Sequence, residues 1–394
     1  MSRPLPAKTD VVVIGAGLIG TSIAYQLAKL GLTRVLVCEQ GFVGAQGATA
    51  KSLGGWRIQF STEINVHFSL ISRKVFDRFE DEFGVKLYFT PSGYLYLTSS
   101  ERGLGIFQNT AARLKDMNLE AEILEPADIA SRWPFLNTED LKAACWTAGD
   151  GYYSINEVVQ GYAQAARRLG VAIHEETKVN AVLTDNGRVT GVKTVKGETV
   201  KADWVVNAAG PWSGAVAASA GLDLPVGPLR RHLFLTNSFD ALPALMPFVL
   251  HFDTGWYMRR EGIALLLAGP SDNAPEQRTF SEQVDFDAEE WTAEKSIQRV
   301  PVLEQAGISR GWVGHYALSP DHHAIIGTWP ELSGFVVCTG FSGHGFQHSP
   351  AAGMVTAELI AHGRAETIDI HALRPTRFRE KDLIEEPLTS FRNH

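Results

Sequence analysis

Three glycines near the N-terminus have the spacing and the surroundings of a phosphate-binding loop. Gly15, Gly17 and Gly20 form a G-x-G-x-x-G motif between an apolar run, Val11–Ile14, and an Ala/Leu-rich stretch that reaches Leu30. The first glycine permits a tight turn, the second lets a pyrophosphate approach the backbone, and the third lets a helix pack closely on the strand. The helix that follows would offer its free N–H groups to the phosphates.

A carboxylate stands where this motif needs one. Glu39 ends a second apolar run, Val35–Cys38, and lies 24 positions after Gly15 (39 − 15). A carboxylate there accepts hydrogen bonds from both ribose hydroxyls and repels a 2′-phosphate. We therefore predict an unphosphorylated adenine dinucleotide, NAD or FAD. Because no second such motif follows a strand and no C-x4-C pair is present, the two-nucleotide disulfide reductases are disfavoured.

A second glycine cluster favours FAD over NAD. The segment Gly340–Gly345 follows an apolar run, Gly334–Thr339, and opens a predicted helix that ends near His362. A glycine-dense backbone can lie against a flat ring, and the start of a helix can stabilise negative charge on that ring. A reduced flavin carries such charge, whereas a nicotinamide does not. The alternative is a tight strand-to-helix turn that only closes the core.

The elements that must hold these motifs follow from the hydrophobic spacing. Two continuous apolar runs joined by a helix predict a parallel βαβ unit over residues 11–39. Turn dipeptides between residues 178 and 207 predict hairpins, and residues 223–310 are mostly β in character. Helices are predicted over three further segments: 62–83, 154–169 and 288–299.

Composition restricts the class of protein. The 394 residues include 36 Lys and Arg against 44 Asp and Glu, a net charge of -8, which argues against a nucleic-acid surface. Three scattered cysteines with no metal-ligand spacing indicate reduced packing thiols. The N-terminus lacks an apolar signal core, and no long apolar run predicts a membrane span. We expect a cytoplasmic protein that binds no metal and no nucleic acid.

Several motifs, spread in order from end to end of the chain, together resemble one family of flavoproteins. They are similar to the glycine oxidase and sarcosine oxidase branch of the D-amino-acid-oxidase superfamily, and to flavoprotein subunits of the sarcosine, dimethylglycine and proline dehydrogenase type. The matching segments are Val12–Gly20 with Glu39, Gly44–Thr49, Val206–Trp212, Asp321–Gly327 and Gly340–Phe346.

The resemblance implies the fold class and the domain organisation. The class is α/β (α+β overall), with a Rossmann-like FAD-binding domain that carries an inserted β-meander. That domain would be discontinuous in sequence. A mostly antiparallel-β substrate domain would cover the flavin. The implied FAD-binding segments are 1–85, 142–222 and 310–394, and the implied substrate-binding segments are 86–141 and 223–309.

The resemblance also implies the residues that would hold the cofactor. Val179 would touch the adenine through its backbone, and the loop around Ala48 would lie near the pyrophosphate or the flavin. The full predicted FAD-binding set is Gly15, Gly17, Leu18, Ile19, Gly20, Glu39, Gln40, Ala48, Thr49, Ser52, Val179, Gly210, Trp212, Gly343, His344, Gly345, Phe346 and Gln347.

Departures from the family pattern carry information of their own. Where monomeric sarcosine oxidases attach their flavin to a cysteine, this chain has Gly314, and the loop at 47–55 lacks the histidine that other relatives use. We therefore predict non-covalent FAD. The strand that carries an oxygen-activating lysine in sarcosine oxidases matches the apolar run Ile263–Leu267, which favours a dehydrogenase over an oxidase.

This chain lacks the basic residues that bind the substrate carboxylate in those relatives. Basic residues that hold it in those relatives fall here on three uncharged residues: Phe60, Tyr316 and Gln347. Arg57 matches a flavin-proximal arginine instead. Arg259, or Arg230 with Arg231, could supply the clamp, although each alone is more typical of a solvated surface charge.

Amine oxidation needs little acid–base apparatus, because the lone pair of the neutral amine supports C–H cleavage. We predict catalytic roles for His344, Tyr316 and Arg57, the alternative for His344 being a histidine satisfied within its turn. Tyr257 should add to the substrate contacts, although ordinary β-core is the alternative for it and for Trp256. The predicted substrate-binding set is Arg259, Tyr257, Gln347 and Phe60. The adjacent pair His322-His323 should diverge rather than bind a metal.

The sequence therefore predicts oxidation of a small amine or amino acid, sarcosine-, glycine- or proline-like, by hydride transfer to FAD, giving an imine that hydrolyses. The electron acceptor would be O2 or a redox partner. The alternative is a non-catalytic or partner-dependent flavoprotein subunit or assembly factor of a larger redox complex, and a second subunit would then be required. Modification of an amine on RNA is disfavoured by the acidic balance.

Overall fold

A computed structural model describes residues 4–269 and 277–388, so the outer parts of the predicted domain segments, at 1–3, 270–276 and 389–394, lie outside the described residues. The helices are α1 (Leu18–Lys29), α2 (Gly47–Ala50), α3 (Glu63–Phe76), α4 (Phe79–Phe83), α5 (Glu101–Asp116), α6 (Pro126–Arg132), α7 (Ile155–Arg168), α8 (Ser213–Ala218), α9 (Phe286–Arg299), α10 (Gly345–His362) and α11 (Arg377–Glu380).

The strands in the first half of the chain are β1 (Val11–Ile14), β2 (Val35–Cys38), β3 (Gly55–Trp56), β4 (Phe89–Thr90), β5 (Tyr94–Thr98), β6 (Glu122–Leu124), β7 (Ala143–Thr147), β8 (Gly151–Tyr153), β9 (Ala172–His174) and β10 (Val179–Asp185). Those in the second half are β11 (Arg188–Thr194), β12 (Thr199–Lys201), β13 (Trp204–Asn207), β14 (Gly227–Thr236), β15 (Phe248–His251), β16 (Tyr257–Glu261), β17 (Ala264–Ala268), β18 (Ile308–Leu318), β19 (Ile325–Trp329) and β20 (Leu332–Thr339).

A parallel sheet holds both glycine motifs. Strands β20, β13, β1, β2 and β9 lie side by side in that order, all parallel. Every residue of β1 and β2 is buried, as expected for a parallel sheet covered on both faces. Helices α1, α7 and α10 pack on one face, and the strands β10, β11 and β12 cover the other. The predicted βαβ unit and the inserted β-meander are both confirmed.

A second sheet, mostly antiparallel, faces the first. Its order is β18-β14-β17-β16-β15-β5-β7-β6, and its one parallel pair joins β15 to β5. Side chains alternate between its two faces. Leu95, Val249 and Met258 pack with α9 on the outer face, whereas Tyr96 and Leu250 point to the inner one. Both faces carry buried apolar clusters, and many polar residues of these strands are buried as well.

The predicted domain boundaries can be compared with the strand pairing. Strand β7 and all but the first two residues of β18 fall in segments that the sequence interpretation gave to FAD binding, but both strands pair within the mostly antiparallel sheet. We therefore prefer boundaries after Thr147 and after Leu318. The helix predicted over 62–83 is two helices, since Arg78 (φ -112°, ψ 16°) leaves helical geometry between α3 and α4. Along the described part of the chain, no helix has both the length and the apolarity to cross a membrane.

Candidate functional site

One large cavity lies where the two sheets face each other, with a volume of ≈ 450 Å³. At one end it is lined by Glu39 and Val179, and at the other by Tyr257 and Tyr316. Most of the predicted site residues line it: Gly15, Gly17, Leu18, Ile19, Glu39, Gln40, Ala48, Thr49, Ser52, Arg57, Val179, Gly210, Trp212, Tyr257, Tyr316, Gly343, His344, Gly345, Phe346 and Gln347. Three others, Gly20, Phe60 and Arg259, do not.

The glycine loop after β1 is shaped by contacts that exclude side chains. Gly15 has a φ of +105°, and a Cβ there would lie 2.6 Å from the Ala208 carbonyl oxygen. A Cβ at Gly20 would lie 1.9 Å from the Gly15 carbonyl oxygen, so α1 starts directly against the loop. Gly20 thus shapes the loop from behind the cavity. The open backbone left by these glycines fits the pyrophosphate of an adenine dinucleotide.

Two side chains hold the ends of this loop. Thr49 Oγ1 accepts a hydrogen bond from the Leu18 amide at 3.1 Å, and a Cβ at Gly17 would lie 2.9 Å from that oxygen. The Glu39 carboxylate accepts from the Ala16 amide at 2.7 Å and from the Gly41 amide at 2.9 Å. Since each carboxylate oxygen can accept more than one hydrogen bond, Glu39 keeps capacity for ribose hydroxyls.

The C-terminal glycine cluster forms a strained turn between β20 and α10. Gly340, Ser342 and Gly343 all have positive φ, at 72°, 50° and 99°. A Cβ on Gly343 would lie 2.9 Å from the Tyr316 ring, so this turn and β18 pack together only because glycine stands there. His344 and Gly345 then begin α10 on the cavity wall.

His344 is buried against aromatic and basic neighbours. Its ring meets the Phe60 ring edge-on at 5.0 Å, and the His348 ring lies 5.9 Å away. Burial first, and then the positive charge of Arg57, holds the pKa of His344 well below its usual value. His344 is therefore a neutral imidazole, which can donate one hydrogen bond and accept another.

Arg57 brings a buried positive charge to the same wall. Its backbone amide donates to Gln347 Oε1 at 2.8 Å, and its guanidinium lies 3.9 Å over the Phe60 ring and 5.6 Å from the Tyr96 ring. The guanidinium also donates to the Gln59 carbonyl. In residues 4–269 and 277–388, Arg57 takes part in no ion pair within 4.0 Å, its charge acts on the buried Asp150 carboxyl, and it lines the cavity.

The three arginines considered for a carboxylate clamp are not solvated, so the sequence interpretation of them as surface charges is wrong. Arg230, Arg231 and Arg259 are 6%, 6% and 7% exposed. Arg230 pairs with Asp285 at 2.8 Å and lies away from the cavity. Arg231, the next residue on β14, points to the other face, lines the cavity and lies 5.2 Å from the Tyr316 ring.

Arg259 contacts residues outside the cavity. It pairs with Glu261 at 2.5 Å, stacks 4.4 Å over the Tyr152 ring and donates to the Arg260 carbonyl at 2.6 Å. It lies outside the cavity, so we no longer propose it as a substrate contact.

Tyrosines form part of the cavity wall beside the glycine turn. Burial, and next the neighbouring Tyr316 side chain, raises the pKa of Tyr257 well above its usual value, so Tyr257 stays a neutral donor. Its neighbour Trp256 is fully buried in the outer core. The sequence left two roles open for these adjacent residues, β-core or cavity wall. Trp256 is β-core, whereas Tyr257 lines the cavity.

The sequence interpretation missed part of the cavity wall. Tyr94, Tyr96, Phe248 and Leu250 line it, from two strands that are far apart in the chain and pair in parallel. The alternation Tyr-Leu-Tyr-Leu over 94–97 was a signal for a strand with one aromatic face. Burial raises the pKa of Tyr96 to about 12, so it too remains protonated.

The adjacent pair His322-His323 lies in two different surroundings. The described residues hold no group of three His, Cys, Asp or Glu side chains placed to bind a metal ion. His322 lines the cavity, whereas His323 turns away toward Thr62, so the adjacent pair diverges as predicted. The three cysteines are free and buried, as predicted for packing thiols.

Comparisons with known proteins agree with this geometry. A family model described as "DAO: FAD dependent oxidoreductase" matches residues 10–359. Sarcosine dehydrogenase, mitochondrial, from Homo sapiens is 32% identical over 391 residues, which cover 96% of this chain but 42% of that protein. FAD-dependent oxidoreductase domain-containing protein 1 from Bos taurus is 30% identical, with 95% and 85% covered. The crystal structure of L-proline dehydrogenase from P. horikoshii superimposes with a TM-score of 0.88 at 29% identity, covering 96% of this chain and 100% of that one.

Proposed function

The chain belongs to the DAO family of FAD-dependent oxidoreductases, and from this premise we propose that it oxidises a small amine or amino acid of the sarcosine, glycine or proline kind. The observation that carries the proposal is the continuity of the cavity. The same space that begins at the dinucleotide loop ends in a chamber lined by Arg57, Arg231 and tyrosines. Such a chamber suits a small substrate with a carboxylate and an amine.

The residues that would hold FAD follow the cavity from end to end. Glu39 would bind the adenine ribose, the loop from Gly15 with Thr49 the pyrophosphate, and the turn at Gly343 the flavin. When bound, FAD would accept a hydride from the carbon next to the substrate nitrogen. The amides at the start of α10 would favour negative charge beside them.

The remaining work falls to side chains that bind and orient the substrate. Arg57, and Arg231 across the chamber, would hold the carboxylate, since a guanidinium fork matches its two oxygens. Tyr257 and Tyr316 would limit the size of the substituent. The buried surroundings would favour the neutral amine, and His344, itself neutral, could accept a hydrogen bond at a ring nitrogen.

The names of the relatives support this class of substrate, since they include a sarcosine dehydrogenase and an L-proline dehydrogenase. The apolar strand Ala264–Ala268 still favours a dehydrogenase. The partner-dependent alternative was motivated by missing carboxylate anchors, and two arginines in the cavity weaken that motive. The cytoplasmic location stays a prediction.

The test is an anaerobic amine panel with the purified yellow protein. We expect sarcosine, proline, glycine or an N-substituted analogue to bleach the flavin absorbance band within seconds to minutes. A dehydrogenase would then be reoxidised faster by an artificial dye than by air. If no amine on the panel bleaches the flavin while dithionite does, the proposed reaction is wrong.

The absence of a covalent flavin link remains a separate prediction. Gly314, which lines the cavity, offers no side chain for attachment. Burial raises the pKa of the nearby Cys338 thiol to about 12, which leaves no thiolate to attack the flavin. Trichloroacetic acid should therefore release all of the yellow colour into the supernatant. Colour retained in the washed pellet would contradict non-covalent binding.

A further inference from the structure

The last described residues of the chain return to the wall of the cavity. We define the tail as residues 383–388. Its Leu383 and Glu385 are exposed, whereas the Glu386 side chain is 0% exposed and Leu388 is fully buried. A buried carboxylate is costly unless its oxygens are satisfied, so the position of Glu386 requires a specific set of partners.

Three of its partners lie at the start of α3, and the His323 ring lies 3.9 Å from the carboxylate. The Glu386 carboxylate accepts from the Ser61 amide at 2.6 Å, from the Thr62 hydroxyl at 2.8 Å and from the Asn65 side-chain amide at 3.0 Å. Thr62 is the N-cap residue, but its own side chain does not cap the helix. A helix start attracts a negative group, and here Glu386 supplies it. Glu386 lies more than 320 residues further along the chain.

Leu388 contacts the same segment and also joins an apolar cluster of the cavity wall. Its amide donates to Ser61 Oγ at 3.3 Å, and its side chain belongs to the apolar cluster that contains Tyr94, Tyr96 and Leu250. All three of those residues line the cavity. The tail thus touches both the segment before α3 and the inner face of the mostly antiparallel sheet.

Arg57 contacts one aromatic ring on each of these two elements. The ring of Phe60, one residue before Ser61, supports its guanidinium at 3.9 Å, and Tyr96 lies on the sheet side at 5.6 Å. We propose that the tail positions Arg57 for the substrate: Glu386 fixes the backbone that carries Phe60, and Leu388 fixes the packing around Tyr96. This inference rests on the proposed function, in which Arg57 binds the carboxylate. Glu386 and Leu388 are positioning residues, because neither lines the cavity.

The first test measures the segment itself and needs no substrate. Hydrogen–deuterium exchange of the amides of residues 57–62 is compared between the wild-type holoprotein, Glu386→Gln and Leu388→Ala. We expect roughly tenfold faster exchange at Ser61 in Glu386→Gln, because the amide loses a charge-assisted acceptor. The matched controls, Glu385→Gln and Leu383→Ala, change exposed side chains and should exchange as the wild type does. Unchanged exchange in Glu386→Gln would overturn the proposal.

The second test asks whether the effect passes through Arg57. Acetate is titrated into the holoprotein and its binding followed by the shift of the flavin visible spectrum. Glu386→Gln should weaken acetate binding roughly tenfold in the wild-type background and have almost no effect in an Arg57→Gln background. An equal loss in both backgrounds means a general structural effect and rejects the positioning role. If the wild type binds no acetate and no amine bleaches it, the proposed function has failed. The exchange result alone then shows whether the tail holds the segment that carries Phe60.

Discussion

Replacing Gly20 with alanine is expected to yield a folded protein that no longer retains FAD. The added Cβ would lie 1.9 Å from the Gly15 carbonyl oxygen, which is backbone and cannot rotate aside as a side chain could. The start of α1 must therefore move away from the loop, and the amides that would meet the pyrophosphate move with it. We expect the ratio of flavin to protein absorbance to fall at least roughly tenfold, since binding depends on that alignment.

The matched control for this change is Gly105→Ala. Gly105 lies within α5, and no heavy atom is within 4 Å of the Cβ that alanine would add there. It should remain as yellow as the wild type, and alanine should if anything favour the helix. Far-UV circular dichroism on both variants separates a lost cofactor from a lost fold. A yellow Gly20→Ala protein with full flavin content would show that the loop does not hold the dinucleotide.

Arg57→Gln is expected to raise KM for a carboxylated amine by roughly 100-fold, with a smaller change in kcat, because a bidentate charge-assisted contact is lost. The residue is buried and lines the cavity, and it forms no salt bridge in the part of the chain that the structure describes, although its charge acts on the buried Asp150 carboxyl. Arg57→Lys should recover only part of the loss, since lysine keeps the charge but not the planar fork. Steady-state kinetics on the best amine of the panel measure both effects.

The decisive comparison uses a substrate without the anion. An amine that lacks the carboxylate should bind the wild type poorly, and Arg57→Gln should change its KM little. Arg188→Gln, at an exposed position on β11, controls for the loss of one positive charge and should behave as the wild type. Equal losses for both kinds of amine would place Arg57 in some role other than carboxylate binding.

The elements formed by local sequence could be predicted, and those that depend on distant packing could not. The βαβ unit follows from buried runs and a glycine turn that lie within 40 residues, so the sequence contains its whole signal. Tyr94 reaches the cavity only because β5 pairs with β15, more than 150 residues later. No local pattern specifies that pairing.

The arginines show that the burial of a charged side chain also cannot be predicted from local sequence. Strand alternation correctly places Arg230 and Arg231 on opposite faces of β14. The sequence interpretation favoured a solvated surface charge for each of them. The sheet is instead covered on both faces, so each arginine needs a partner or a ligand, which only the tertiary structure can reveal.

The order of strands in the parallel sheet bears on how the protein is made. Strand β1 pairs with β13, and β13 pairs in turn with β20, which ends at Thr339. Strand β1 can pair with β2 early, but it lacks its other neighbour, β13, until residue 207 of 394 has been made, and β20 joins the sheet later still. A growing polypeptide would hold part of its apolar sheet unpaired during synthesis, and the coenzyme could be captured in a complete site only after the turn at Gly343 has been made.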